Sequence, residues 1–133
     1  MLGTDLEKPI PQLIAAYDDP LGVTAAFNLN LLARINRELD ADFVLEQFEH
    51  FAWFNQDARS VEMRLRSRRN QTVSIPRADL KVPFLEGETI WTESSHKYAA
   101  GEMSQIARDT GFTCKAQWID QEWPFAENLF VAE

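Results

Sequence analysis

Two periodicities divide this chain. Val61, Met63 and Leu65 alternate with Glu62, Arg64 and Arg66, a period of two that predicts a half-buried strand. Just upstream, Phe51 and Trp53 would lie on one face and Ala52 and Phe54 on the other, with Asn55-Gln56-Asp57 as the turn. Further strands are predicted over 71–75 and 80–85, where Pro76 and Pro83 mark interruptions or edges. Nearer the start the period is helical. Ile10, Leu13 and Ile14 predict a short helix over 9–16, with Pro9 suited to its first turn. Val23, Ala26, Phe27, Leu31, Ile35 and Leu39 predict a longer helix over 23–39 with that stripe inward. The break between them, Tyr17 to Gly22, has turn chemistry throughout.

Asp42 is placed to cap a further helical stretch over 43–48, and Leu2 to Lys8 reads as a strand end running into a polar loop. Toward the end, 99–110 predicts a helix with Met103, Ile106 and Ala107 inward and Gly111 as its C-terminal cap. A strand over 112–119 follows, broken near Trp123-Pro124, and then a last short strand over 128–131.

Composition narrows the function classes. The chain has 133 residues, 45% of them apolar, which suits one domain or a piece of a larger one and argues against disorder. A net charge of −8 disfavours nucleic acid as a partner, since phosphate binding needs a basic surface. The basic run Arg64 to Arg69 reads as the wet face of a strand. Cys114 is the single cysteine, so no disulfide framework is expected and a reducing cytoplasm fits. No apolar run reaches the length of a membrane span.

The stretch Gly87 to Tyr98, Gly-Glu-Thr-Ile-Trp-Thr-Glu-Ser-Ser-His-Lys-Tyr, concentrates the candidate chemistry. Side chains two apart on a strand share a face, so Glu93 and Ser95 point one way and Thr92 and Ser94 the other. A carboxylate beside a hydroxyl can grip a planar ring that carries N–H groups, such as imidazole. By spacing alone, the commoner role of such a pair is a solvated strand residue and a turn former. Other chemistry has less support. His50 and His96 have no companions at metal-ligand spacing, Cys114 suits a packed thiol, and nothing around Ser95 resembles a nucleophile elbow.

Three pieces carry a resemblance. They are Leu2-Gly3-Thr4-Asp5-Leu6 with Lys8; Ala16-Tyr17-Asp18-Asp19 continuing through Gly22-Val23-Thr24-Ala25-Ala26-Phe27-Asn28 to Ile35-Asn36-Arg37-Glu38-Leu39; and Gly87-Glu88-Thr89-Ile90 with Thr92-Glu93 and Lys97-Tyr98. In this order and spacing they resemble the C-terminal part of the histidine Nα-methyltransferase family of the ergothioneine pathway. The helix, Gly-Phe, strand, loop and strand of the tail are likewise similar to the closing unit of class I S-adenosylmethionine-dependent methyltransferases.

The resemblance implies an α/β protein, α+β as an isolated piece: a partial Rossmann-like class I fold with an inserted substrate-binding domain. Residues 1–8 would end a cofactor-domain strand, 9–97 would form the substrate-binding portion, and 98–133 would supply the closing helix and antiparallel strands. It implies that Tyr17 helps hold the amino-acid end of histidine. Met63 would line the imidazole pocket, and Glu93 and Ser95, with Ser94 between them, would bind the ring; Phe27 would wall it. Trp91 and Ser94 depart from the family, which commonly has histidine and asparagine there. S-adenosylmethionine is the implied cosubstrate, but no Gly-x-Gly loop for it occurs among Gly3, Gly22, Gly87, Gly101 and Gly111. The chain is therefore expected to be inactive without an N-terminal methyltransferase half. The alternatives are a non-enzymatic amino-acid-binding module and a truncated remnant.

Overall fold

A computed structural model describes residues Met1–Glu133. The chain builds two antiparallel layers. β1 (Leu2–Asp5), β7 (Phe112–Asp120) and β8 (Phe125–Ala132) form a sheet in the order β1-β8-β7, with α3 (Glu102–Asp109) against β7. β2 (Phe48–Asn55), β3 (Ser60–Ser67) and β6 (Thr89–His96) form a second sheet in the order β2-β3-β6, and β4 (Gln71–Ile75) and β5 (Leu80–Phe84) pair as a separate hairpin. α1 (Ile10–Tyr17) and α2 (Val23–Leu39) cover one face of the second sheet.

The two layers join where Leu6 and Tyr98 make a parallel bridge: Tyr98 N–H donates to Asp5 O at 3.1 Å and Glu7 N–H to Tyr98 O at 3.0 Å. The chain thus leaves the terminal sheet after β1 and returns to it before α3. Within that sheet Gly3 admits a close neighbour. A Cβ there would stand 2.8 Å from the Phe125 ring, closer than such atoms approach.

The alternation of β3 is realised. Val61, Met63 and Leu65 are buried beneath the helices, while Glu62, Arg64 and Arg66 occupy the far face. On that far face Arg64 stacks over Trp91 at 5.1 Å and Arg66 over Phe51 at 5.0 Å, so these two arginines of the basic run are absorbed by aromatic rings and by Glu62 and Glu49. The main core joins Leu32 of α2 to Leu65, Phe48, Phe43, Val73 and Phe84. Phe48 and Phe84 meet edge to face at 5.4 Å. A second cluster, Leu13, Ala52, Val61 and Met63, lies under α1.

Three expectations about elements are corrected. The helix over 43–48 is only a short 3-10 turn, Leu45–Gln47. Phe43 and Phe48 are drawn into the aromatic cluster, and Asp42 accepts from Ser74 N–H at 2.7 Å instead of capping. The inward face of α2 is rotated: Asn28 and Leu32 are buried, whereas Val23 and Phe27 are 66% and 65% exposed. Asn28 is held inward because its amide donates to Arg64 O at 3.3 Å and meets His50 Nδ1 at 3.0 Å. The last strand begins at Phe125, since it pairs along the whole of β7 rather than only near its end.

Candidate functional site

The site is set by a bulge. Met63 pairs with Glu93, but its neighbour Arg64 pairs with Trp91, so Thr92 is the extra residue in β6. Its hydroxyl donates to Met63 O at 2.9 Å. One inserted residue changes which side chains face inward. Before it, apolar Ile90 lies beside Leu65 on the covered face; after it, Glu93 and Ser95 take that face beside Met63 and Val61. Ser94 points to the opposite face, across from Glu62.

Tyr17 approaches from the last residue of α1. Its hydroxyl donates to Ser95 Oγ at 2.7 Å, across 78 positions of sequence. Lys97 Nζ donates to Tyr17 Oη and to Ser95 Oγ, each at 2.8 Å, and stands 4.6 Å from the centre of the tyrosine ring. Behind it, Lys97 pairs with Asp5 Oδ2 at 2.8 Å, and Lys8 takes the other carboxylate oxygen at 2.5 Å. Burial alone would raise the Asp5 pKa, but the hydrogen bonds and charges of Lys8 and Lys97 hold it below the ordinary carboxylate value. The Tyr17 backbone is fixed as well, by His50 Nε2 at 2.7 Å from its carbonyl. With Asn28 Nδ2 donating at the other ring nitrogen, His50 serves as donor through Nε2.

The candidate residues are thus largely brought together. Tyr17 and Ser95 touch; Glu93 is exposed beside them; Met63 is buried next to Glu93 on the same face, packed with Leu13 and Ala52. Phe27, exposed on α2, walls nothing within this chain. The arrangement is an open ledge. The clefts of the surface lie elsewhere, the largest apolar one (about 410 Å³) between α2 and β6, and none is lined by Tyr17, Glu93 or Ser95. Two participants escaped the sequence reading, Asp5 and Lys97. The period of two that aligned Glu93 with Ser95 extends one step further to Lys97 and gives its face, but not its burial or its partners Asp5 and Tyr17. No helix is long and apolar enough to cross a membrane.

Fold and ledge together define a polar cluster on an α+β layer that is inserted into a second antiparallel sheet. The chain belongs to the family of histidine-specific, S-adenosylmethionine-dependent methyltransferases, whose model matches residues 1–132. It is 44% identical over 131 residues to a histidine N-alpha-methyltransferase of Mycolicibacterium smegmatis, covering 98% of this chain and 41% of that protein. It is 42% identical over 129 residues to a histidine N-alpha-methyltransferase of Mycobacterium tuberculosis, covering 97% of this chain and 40% of that protein. The chain therefore spans about two fifths of the length of the curated relatives it matches.

The residues of this chain do not by themselves fit the family's cosubstrate. Every strand ladder is antiparallel, and the glycines sit in separate positions. No glycine-rich turn connects a parallel strand to a helix N-terminus, the arrangement that lets backbone N–H groups approach a nucleotide.

Proposed function

We propose that this chain is the C-terminal, substrate-anchoring part of a methyltransferase acting on the α-amine of histidine or a similar amino acid. The observation that carries this reading is the β3–β6 register: one bulge sets Glu93 and Ser95 on the covered face, with Ser95 bonded to Tyr17 and Glu93 beside Met63. Glu93 and Ser95 clasp the imidazole, Met63 floors it, and Tyr17 steadies the amino-acid end. Ser94, on the opposite face, contributes through the strand rather than by contact. Residues 9–97 form the substrate-binding portion, and 1–8 with 98–133 belong to the methyltransferase domain. The strand order β1-β8-β7 and the Leu6–Tyr98 crossing support this division, since they suit the closing edge of a Rossmann-like sheet with an insertion after one of its strands.

The cosubstrate, S-adenosylmethionine, is held by chain beyond these residues, and the 133-residue chain is inactive alone. When bound it supplies the methyl group. The task of the residues on this ledge is to fix the ring end so that a neutral amine is aimed correctly, and positioning of this kind accounts for a large part of a rate. A site built to hydrogen-bond a ring rejects analogues lacking those groups, because its own polar atoms are then left unpaired. The setting is a cytoplasmic step of an ergothioneine-type pathway.

Calorimetry with histidine, on this chain completed by the upstream region of a relative, tests the reading. Glu93→Ala should weaken histidine binding by about 1.5–3 kcal/mol, the range for a hydrogen bond to a charged group. Glu88→Ala, whose carboxylate accepts from Leu85 N–H in a turn, should leave it within about 0.5 kcal/mol. Equal losses would reject the clasp. Histidine binding that persists in this chain alone and never leads to methylation would favour a non-enzymatic module instead.

A further inference from the structure

Lys97 is the only cation the fold buries, with no side-chain surface left to solvent. An ammonium carries three N–H donors and no acceptor. Each finds one oxygen, Asp5 Oδ2, Tyr17 Oη or Ser95 Oγ, all at 2.8 Å. Tyr17 Oη in turn donates to Ser95 Oγ at 2.7 Å. That direction is the favoured one, because a phenol is the stronger acid and the weaker acceptor of the two hydroxyls. A serine oxygen has two acceptor sites, and both are then filled, one by Lys97 and one by Tyr17. Ser95 has only its own O–H left to offer.

Resting on the reading of Glu93 and Ser95 as the ring clasp, we infer that Lys97 is a positioning residue that makes Ser95 an obligate donor, so that the clasp takes the imidazole in its neutral form. The ring gives its N–H to Glu93 and turns its bare nitrogen to Ser95. Lys97 itself never touches the ligand. Glu93 alone would favour a cationic ring, so the other charged and titratable groups decide the outcome. Asp5 and Lys8 approach from β1 and the loop after it, Tyr17 from α1, and His50 from β2 behind the tyrosine carbonyl. Lys8 and Lys97 share the one Asp5 carboxylate, so the three groups sum to a single positive charge, held directly behind the serine. An imidazolium would face that charge and would aim its second N–H at an oxygen with no acceptor site free, a loss that one more exposed carboxylate contact does not offset.

Nitrogen-15 NMR of ring-labelled histidine bound to the completed protein tests this at about pH 6, where the free ring, with a pKa of about 6.5, is mostly protonated. The bound ring should show one protonated and one bare nitrogen. Tyr17→Phe frees an acceptor site on Ser95 and, although it removes one oxygen from Lys97, leaves the ammonium its Asp5 and Ser95 partners, and Lys97→Met frees the other site; in each, the bound ring should shift toward the doubly protonated form. If Lys97→Met does not fold, Tyr17→Phe alone decides. A doubly protonated ring on the wild-type protein, or a ring state unchanged in the folded variants, overturns the inference. Absence of any bound histidine signal on the wild-type protein rejects the amino-acid site itself, and the role of Lys97 with it.

Discussion

Removing Asp5 should show how strongly the two layers and the ledge depend on one buried pair. The Lys97 side chain is 0% exposed and Asp5 25%, at 2.8 Å, so Asp5→Ala leaves an ammonium in the interior with only two neutral hydroxyls for company. Breaking a buried pair from one side costs about 3–5 kcal/mol. Because Asp5 retains some contact with water, the lower end applies, about 3 kcal/mol, or about a hundredfold in the folding equilibrium. In urea unfolding of the 133-residue chain, followed by tryptophan fluorescence, the midpoint should fall by about 1–3 M. The control is Arg77→Ala, whose 2.7 Å pair with Asp40 is 61% and 59% exposed and should be worth no more than about 1 kcal/mol.

Acid gives a second arm. The folded Asp5 carboxyl titrates below its unfolded value, so its contribution is fully present above about pH 4 and lost as the pH falls through the depressed value. The gap between wild type and Asp5→Ala should therefore be constant at neutral pH and close on acidification. An Asp5→Ala cost no greater than that of Arg77→Ala would refute the argument that burial makes this pair matter.

Two further outcomes test the scaffold. Leu65→Ala removes a side chain of 0% exposure from the cluster of Leu32, Phe43, Phe48, Val73 and Phe84, and should cost about 2–5 kcal/mol in thermal unfolding; Leu80→Ala, half exposed, should cost far less. Asp19 accepts from Thr24 N–H at 2.8 Å and Val23 N–H at 3.0 Å, and the Thr24 and Val23 hydrogen bonds hold its pKa down to about 2. That depressed value means Asp19 supports the start of α2 above the ordinary aspartate range and loses this role as the pH falls toward 2. Asp19→Ala should lower helicity by circular dichroism at neutral pH and flatten its acid dependence; an unchanged acid profile would count against the cap.

What the sequence by itself determined is what local repetition controls. The period of two at Val61, Met63 and Leu65 placed β3 and its buried face, and the same period put Glu93 and Ser95 side by side. Gly111 ended α3 as expected, since its φ of +81° is one that other residues adopt only at a cost. Only the tertiary structure decided the rest. The inward face of α2 depends on Asn28 finding the His50 ring and the Arg64 carbonyl, partners supplied by strands far along the chain, so hydrophobic spacing chose the wrong stripe. Phe43 and Phe48 left a helical pattern for an aromatic cluster with Phe84. Lys97, by composition a surface residue, is buried because Asp5 and Tyr17 close around it from opposite layers. The energy of a buried charge depends on partners that only the assembled fold brings within 3 Å, and no local pattern records them.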